Sequence, residues 1–457
     1  MQCWIAPWNM PVKIALTNES VTWMLAAVIL AAYANAFGGV FQFDDYNVIV
    51  NYPAAHSWGA WWQEMPGIRP LLKASYVANW LLDNSATGFH VVNVALHFIN
   101  ACLVFGILRR LARHLGIAHE AALSVAWIAA LIFALHPSQT EAVTYISGRS
   151  VSLMAMFTLA SLLTYLKAQD GIRAVVWRTA SVLFFVAALA AKENAWVLPL
   201  ILLLCEMLRH DFRWRGFFAR SAAHSLVPLG LAAAVLLIAD YFKLLAGSLQ
   251  TRSVSENLLT QIDGVLYLIT RPLLTLTLNI DPDLPVHTTF TPELALKAIM
   301  LLGIVVAALW QWRKAPHSRW ISFGVLWFFI WLLPTNSILP RADVANDRQL
   351  YLALIGPALI VGGVLAKFPP PRRVITITAV ALLLGVFTLL RNQDYRSEIA
   401  LWEASVKHSP GKAQVWNNLG YARQQAGDIV GAKQAYQRAL ALDTRNWKAK
   451  NNLDLLE

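Results

Sequence analysis

Two adjacent carboxylates are the side chains of this sequence most suited to acid–base chemistry. Asp44 and Asp45 follow the first long apolar run, in the stretch Phe41-Gln-Phe-Asp-Asp-Tyr46. Because adjacent like charges repel, we expect the pKa of one carboxyl group to rise, as a general base for a hydroxyl group requires. The alternative is a turn or an N-terminal helix cap without any catalytic role.

A second group of polar residues lies between His136 and Arg149. Pro137 ends the preceding apolar run, so that Glu141 and Arg149 share a short turn, where we expect both to be used in function. His136 and Glu141 are residue types that bind metals, but two ligands without a third give little support for a site. A divalent metal is therefore possible but not favoured, and no cofactor is predicted.

Basic residues from separate parts of the chain would together neutralise a phosphate group. They are Arg69, Arg149, Lys192 and Arg348. Arginine suits phosphate because its planar guanidinium presents a rigid fork of donors. In the alternative interpretation, Lys192 and Glu193 form an interfacial ion pair, and Arg348 extends its charge to the membrane surface.

The composition requires that most of the chain is hidden from water. Hydrophobic residues make up 57% of the chain and charged residues only 14%, whereas a soluble domain carries roughly 25% charged residues. The net charge of +11 arises from basic residues in short loops between apolar runs. This distribution is typical of membrane topology control, and nucleic acid binding is not expected.

About eleven apolar runs are predicted to cross the membrane, which makes the chain an all-α polytopic protein. They lie at residues 21–41, 91–108, 121–136, 151–166, 175–191, 194–208, 222–242, 294–311, 320–334, 349–366 and 374–390. Basic loops follow every even-numbered run, which predicts a cytoplasmic N-terminus and an external C-terminus. The first helix is expected to remain uncleaved, because its apolar run is long and Glu19 interrupts the basic flank of a signal peptide. The semi-apolar stretch 258–279 is interpreted as an interfacial or re-entrant helix; if it spans, the C-terminus is cytoplasmic instead.

The pattern predicts a transmembrane domain at 1–392, with long outer loops at 42–90 and 243–293, and a module at 393–457. The signature positions of a 34-residue tetratricopeptide repeat (TPR) are matched by Trp416, Leu419, Gly420, Gly427, Ala432, Tyr436 and Ala439. A generic amphipathic hairpin is the alternative. Because TPR modules bind peptides in a concave groove, a peptide or protein partner is expected here.

Polar residues gather at the outer ends of the predicted helices. Ionisable groups at membrane depth are costly and usually functional, so we expect a polar cavity that opens to the outside. The residues expected to bind substrate there are His90, His136, Glu193 and Tyr351.

Taken in order, these motifs resemble the transmembrane-and-TPR O-mannosyltransferases and their bacterial relatives, within the GT-C glycosyltransferases. The resemblance runs from about residue 22 to the end, and its motifs are specific only jointly. They are Phe43-Asp-Asp45, Arg69-Pro-Leu71, Gly88-Phe-His-Val-Val-Asn93, Ala134-Leu-His-Pro137, Ser147-Gly-Arg149, Ala191-Lys-Glu193 and Asp347-Arg-Gln-Leu-Tyr351. The chain departs from the family where Asp347 replaces the usual Glu and in its very short repeat array, which leaves the acceptor open.

The resemblance implies a GT-C-type bundle that transfers a sugar, with inversion, from a polyprenyl-phosphate donor to a hydroxyl group on the outer face. Asp45 or Asp44 would be the base, and Arg149, Lys192 and Arg348 would hold the departing phosphate. The family suggests mannose on protein Ser or Thr, although a glycan acceptor stays open. The short chain suggests a bacterial inner membrane, with undecaprenyl as the lipid and a periplasmic TPR.

Two functions of other classes remain as alternatives. A non-catalytic scaffold or assembly factor would recruit partners through the TPR and would not need the outer polar residues. A transporter is less favoured, because the helices show no internal repeat and the polar residues lie at one membrane face rather than at the midplane.

Overall fold

The computed structural model describes residues 17–65, 67–209, 212–237 and 239–456. All regular secondary structure within these ranges is helical, and they contain no β-strand. The all-α prediction is therefore confirmed. The predicted cytoplasmic N-terminal end lies outside the described residues.

Short helices near the chain's polar loops alternate with long apolar ones. The α-helices are α1 Asn18–Ala32, α2 Trp58–Glu64, α3 Pro70–Leu82, α4 Ala86–Leu111, α5 His119–Leu135, α6 Thr140–Val143, α7 Arg149–Ala168, α8 Ala174–Ala191, α9 Leu198–Glu206, α10 Trp214–Leu237, α11 Ala239–Thr251, α12 Val254–Thr270, α13 Pro292–Lys314, α14 Arg319–Leu332, α15 Leu350–Ala353, α16 Ile355–Leu365, α17 Pro370–Asp394, α18 Glu398–His408, α19 Ala413–Gln425, α20 Ile429–Leu442 and α21 Trp447–Asp454.

Five helical segments of the described chain are long and apolar enough to cross a membrane. They are Ala86–Leu111, Ile146–Ala168, Ala174–Ala191, Pro292–Lys314 and Pro370–Asp394. The number rises to seven if each of two bent helix pairs is one span. All seven coincide with predicted spans, and the chain is consistent with a membrane protein, while the total of eleven stays a prediction.

The two bent pairs bring polar residues to the ends of apolar helices. His119–Leu135 and Pro137–Val143 meet at 56°, and Asp347–Ala353 and Ile355–Leu365 meet at 55°. Pro137 contributes to the first bend because proline has no amide hydrogen to continue the hydrogen-bond pattern of α5. Each bend interrupts a helix beside a predicted site residue, Glu141 in the first pair and Arg348 in the second.

Each of the C-terminal helices α18 to α21 packs against the next one along the chain. Gly420 of α19 faces the ring of Tyr436 of α20, where an added Cβ would lie 2.6 Å from the ring. The identification of this module as a TPR stays a prediction. The module is anchored to the second long loop, because Ser409 Oγ accepts hydrogen bonds from Asn279 Nδ2 (2.7 Å) and Asp283 N (2.9 Å) and Lys412 forms an ion pair with Asp281.

Candidate functional site

A cavity of about 480 Å³, the large cavity, lies between the C-terminal helices and the polar loops that precede them in the chain. Its lining includes Phe43, Asp44, Glu141, Tyr145, Asp281, Asp343, Arg348, Trp402, Lys412, Gln414, Asn418 and Lys448. Five separate parts of the sequence therefore contribute polar side chains to one space. A cavity of this size accommodates a small polar group together with part of a polymeric ligand.

Asp44 and Asp45 lie in different environments although they are adjacent in sequence. Asp44 is half-buried and lines the large cavity, whereas Asp45 is 1% exposed. The carboxylate of Asp45 accepts hydrogen bonds from Gln42 N (2.9 Å), from Ser147 N (2.8 Å) and from the hydroxyl of Ser147. Asp45 therefore holds the loop in place, and Asp44 is the carboxylate available to a ligand.

The electrostatic surroundings raise the pKa of both carboxyl groups. Burial raises the pKa of Asp45 to about 7, although its hydrogen bonds oppose the shift. Burial also raises the pKa of Asp44, and the charge of Arg348 opposes this increase. The expected repulsion between the two carboxylates contributes only a small part of the Asp45 shift, and removal from water is the main cause.

The C-terminal module fixes the loop that carries Asp44. Phe43 has a φ of 48°, a left-handed backbone conformation that is unusual for an aromatic residue. Its ring packs edge-on against the buried Trp402 of α18, with ring centroids 5.2 Å apart. The side-chain amide of Gln42 also donates a hydrogen bond to the carbonyl of Tyr395. The turn at Phe43 is therefore held from the C-terminal side of the chain.

Glu141 and Arg348 form a buried pair at the wall of the large cavity. The backbone N–H of Arg348 donates to Glu141 Oε2 (2.9 Å), and the guanidinium Nε lies 3.4 Å from Oε1. Gly148 is required for this geometry, since a Cβ there would lie 2.2 Å from the carbonyl oxygen of Glu141. Glu141 thus orients Arg348.

Arg348 also borders a second, smaller cavity of about 30 Å³, the small cavity. Its other polar residues are Lys192, Asn194, Thr335, Arg341, Asn346 and Gln349. Lys192 is buried and donates a hydrogen bond to Ser150 Oγ (3.3 Å). Burial, and then the charges of Arg69, Arg348 and Arg341, lower the pKa of Lys192 well below its ordinary value. Three cationic groups around one small space suit an anion that fills it.

Arg341 is a site residue that the sequence interpretation did not select. It lines the small cavity with Lys192 and Arg348 and forms no ion pair with the described residues. The sequence feature that could have identified Arg341 is its position, seven residues before Arg348 in the same predicted outer segment. The irregular segment 333–346 had to fold back to bring it there, and periodicity does not reveal such a fold.

Arg69 and Glu193 lie together, apart from both cavities. Arg69 Nε and Nη2 donate to the two carboxylate oxygens of Glu193 at 2.9 Å and 2.5 Å. Burial raises the pKa of Glu193, but the adjacent Arg69 outweighs it, and the pKa falls to about 2. This bidentate pair links the first long loop to the turn that carries Lys192, so the geometry favours a supporting role for both.

Arg149 is completely buried and lines neither cavity. Its guanidinium donates to Asn93 Oδ1 (2.7 Å), Asn79 Oδ1 (2.7 Å) and the carbonyl of Phe89 (3.0 Å), and it lies over the Phe89 ring. Its donors are used within the protein. The geometry therefore favours a scaffolding function for Arg149 over the predicted contact with a phosphate.

We expect Arg149→Gln to lower the thermal stability of the protein. Truncation leaves the buried acceptor oxygens of Asn93 and Asn79 without donors, and each such group costs about 1–3 kcal/mol. The measurement is the unfolding temperature in detergent, with the exposed Arg313→Gln as the control. An unchanged unfolding temperature in Arg149→Gln, together with weakened donor binding, would contradict the scaffolding role.

The remaining predicted substrate-binding residues line neither the large nor the small cavity. Both ring nitrogens of His136 have partners, Ser138 Oγ (2.8 Å) and the Pro272 carbonyl (3.0 Å). The hydroxyl of Tyr351 contacts His97 Nδ1 at 2.8 Å. His90 is packed closely under Gly39, where an added Cβ would lie 2.7 Å from its Nε2. The structure does not bring these side chains to the cavity walls.

The geometry offers no obvious place for a resident metal ion. Among the residues that the structure describes, no group of three or more His, Cys, Asp or Glu side chains is placed to hold one. Four carboxylates line the large cavity, and three of them have ion-pair partners: Glu141 and Asp343 with Arg348, and Asp281 with Lys412. Asp44 is the fourth, and the cations around Arg348 line the small cavity.

Comparison with known proteins relates this arrangement to one group of enzymes. No family model matches the chain. The chain is 26% identical over 446 residues, 92% of its length, to protein O-mannosyl-transferase F38B6.6 of Caenorhabditis elegans. It is 23% identical to mouse protein O-mannosyl-transferase TMTC3 over 93% of its length, and 26% identical to human protein O-mannosyl-transferase TMTC4 over 90%.

The chain spans 62%, 51% and 65% of the length of these three relatives, respectively. All three come from animals, so they lend no support to the bacterial origin expected from the sequence. The similarity nevertheless covers at least nine tenths of the chain in each comparison. The chain is thus a homologue, over about nine tenths of its own length, of curated protein O-mannosyl-transferases.

Proposed function

We propose that the chain is a membrane glycosyltransferase that moves a sugar, mannose in the first instance, from a polyprenyl-phosphate donor to a hydroxyl group of a protein. The observation that carries this proposal is the position of Arg348, which borders both the large cavity with Asp44 and the small cavity with Lys192 and Arg341. The proposed base, Asp44, and the proposed phosphate-binding residues, Lys192 and Arg341, thus lie in the two cavities that Arg348 borders. The curated relatives, which are named protein O-mannosyl-transferases, support the transfer of mannose to protein.

In the proposed reaction, the acceptor hydroxyl lies against Asp44 in the large cavity. Its oxygen attacks the anomeric carbon of the sugar, its proton passes to Asp44, and the bond between this carbon and the phosphate oxygen breaks. The electron pair of that bond leaves with the polyprenyl phosphate, whose charge Lys192, Arg341 and Arg348 stabilise. A single displacement of this kind inverts the configuration at the anomeric carbon, because no second carboxylate forms a covalent intermediate.

Most of the proposed catalysis comes from fixed positions and preorganised charge. Asp45 and Trp402 hold the loop of Asp44 through the contacts described above. Glu141 orients Arg348 through its backbone N–H. The proposal therefore assigns the acceptor side to the large cavity and the leaving phosphate to the small one, with the C-terminal helices beside the acceptor.

The direct test is a transfer assay with the full-length protein in lipid nanodiscs. We expect transfer of labelled mannose from a polyprenyl-phosphate donor to a Ser/Thr-containing acceptor protein, no transfer from a nucleotide-linked sugar, and no loss of activity with a chelator. The anomeric configuration of the product, measured by NMR, is expected to be opposite to that of the donor. Transfer only from the nucleotide sugar, or retention of configuration, would contradict the proposal.

The scaffold alternative makes the opposite prediction in the same system. It requires that no sugar is transferred from any donor and that substitutions of Asp44 and Arg348 leave the cellular phenotype unchanged. Assembly with partner proteins would then depend on the C-terminal helices alone. Transfer that is lost in an Asp44 variant excludes this alternative.

A further inference from the structure

A groove of about 440 Å³ lies on the opposite side of α18 from the large cavity. Leu401 and Trp402 of this helix line the large cavity, whereas Ala400, Ala404 and Lys407 line the groove. The end of α17 and the irregular segment 275–278 form the other walls. We call this space the lateral groove. Since α18 separates it from Asp44, the groove is not part of the proposed active site.

The part of the lateral groove beyond the C-terminal end of α17 is positively charged. Arg396 and Lys407 are exposed and form no ion pair with the described residues. The acidic residues of the lining have partners of their own: Asp394 pairs with Arg391 at 2.8 Å, and Glu403 pairs with Arg423 at 3.0 Å. Two cations of the groove therefore remain for an anionic ligand.

The part of the lateral groove formed by Leu276, Phe387 and Leu390 is apolar and open to its surroundings. Leu276 is 66% exposed and Leu390 is 50% exposed, and Phe387 is a further apolar residue of the lining. Just before this segment, Leu273 is 83% exposed. Such a group of exposed leucines beside basic residues is costly in water but favourable at a membrane surface.

The groove also lies at the level where a membrane surface is expected. It borders the last turns of α17, which is one of the helices long and apolar enough to cross a membrane. The apolar side chains of the groove continue along α17, and the basic ones lie beyond its end. This order, from hydrocarbon to charge, is that of a phospholipid at the edge of a bilayer.

We propose that the lateral groove binds the headgroup phosphate of an anionic phospholipid from the bilayer leaflet at the C-terminal end of α17. Arg396 and Lys407 contact the phosphate, and Leu276, Phe387 and Leu390 contact the acyl chains. No residue that lines the groove also lines the large or the small cavity, although α18 contributes different residues to the groove and to the large cavity. We therefore assign the ligand as a bilayer lipid and not as the sugar donor. The bound lipid ties α18, and hence Trp402, to the membrane.

The experiment compares lipid retention by native mass spectrometry. Full-length protein is released from nanodiscs of phosphatidylcholine and phosphatidylglycerol, and bound lipids are counted for the wild type, Arg396→Gln/Lys407→Gln, and the control Arg438→Gln/Lys450→Gln, which removes the same charges from exposed positions of α20 and α21. Each cation near an anionic membrane surface increases the binding affinity about fivefold. We therefore expect the groove variant to lose phosphatidylglycerol by on the order of tenfold or more, with the control unchanged.

Three results would overturn the proposal. The first is equal retention of phosphatidylglycerol by the groove variant and the wild type. The second is an equal loss in the control variant, which indicates only a general effect of net charge. The third is displacement of the lipid by millimolar inorganic phosphate alone, which indicates a site for free phosphate. An unfolding temperature equal to that of the wild type confirms that the groove variant is folded.

Discussion

Asp44→Asn is expected to lower sugar transfer by on the order of 10²–10⁴-fold, the usual contribution of a general base. Asparagine has the shape of aspartate but cannot accept the proton of the acceptor hydroxyl. Asp44 is half-buried at the wall of the large cavity, and its backbone N–H and its side chain both contact the hydroxyl of Tyr145. Asparagine can retain these contacts, so the substitution is expected to leave the unfolding temperature unchanged. The measurement is initial rates at saturating donor, with an unfolding curve for each variant.

The neighbouring Asp45→Asn is the matched comparison. Three donors point at the Asp45 carboxylate, and the amide of an asparagine places its own N–H groups against at least one of them. We expect this variant to lose stability as well as activity, since an unsatisfied buried group costs about 1–3 kcal/mol. Full activity in Asp44→Asn, or loss of activity in Asp45→Asn without any loss of stability, would reverse the assignment of the base.

The dependence on pH follows from the same geometry. Burial raises the pKa of Asp44 above that of an exposed aspartate. Below this pKa the carboxyl group is protonated and cannot act as a base, so kcat/KM is expected to fall as the pH decreases through it. For Asp45, whose pKa burial raises to about 7, the folded state binds the proton more tightly than the unfolded state. Its contribution to stability is therefore lost as the pH rises from about 4 to about 7.

Arg348→Gln is expected to lower kcat/KM for the lipid donor by about 10²–10³-fold, the usual loss when one preorganised donor to a developing charge is removed. Arg348 is the one guanidinium that lines both cavities of the described chain. Its loss leaves Lys192 and Arg341 to neutralise the departing phosphate. We also expect weaker inhibition by the product, polyprenyl phosphate, because the same charge holds the product.

The matched controls separate charge from structure. Arg348→Lys retains the charge but not the planar fork, and is expected to recover part of the lost activity. Arg319→Gln removes a guanidinium at the start of α14, outside both cavities, and is expected to retain wild-type rates. Equal losses in the Arg348 and Arg319 variants, or unchanged product inhibition in Arg348→Gln, would contradict the assignment.

The helical class and the apolar segments could be predicted from the sequence because they depend on local patterns. Apolar runs of sufficient length predict helices in lipid, and all seven candidate spans of the structure coincide with predicted runs. The lengths of the shorter helices could not be predicted from the apolar runs. The run 194–208 forms the α-helix Leu198–Glu206 only after a short 3-10 helix at Glu193–Val197, and the run 320–334 forms Arg319–Leu332.

The choice of reactive side chains depended on tertiary structure. The sequence singled out Asp44, Asp45, Glu141, Arg149, Lys192 and Arg348, and composition alone could not say which of them face a cavity. Arg149 was expected at a phosphate, but in the structure asparagine side chains of α3 and α4 surround it. Arg341 reaches the small cavity because an irregular segment folds back between α14 and α15.

The sequence by itself determined that the chain is helical and apolar, and that its candidate carboxylates and cations lie in several loops far apart along the chain. Only the tertiary structure decided that Asp44 faces the large cavity while Asp45 is buried in the loop. The physical reason is the left-handed turn at Phe43. The turn is fixed in part by the contact of the Phe43 ring with Trp402, which lies 359 residues later in the chain. Such contacts are not encoded in any local periodicity, because they arise only when the C-terminal helices pack onto the first long loop.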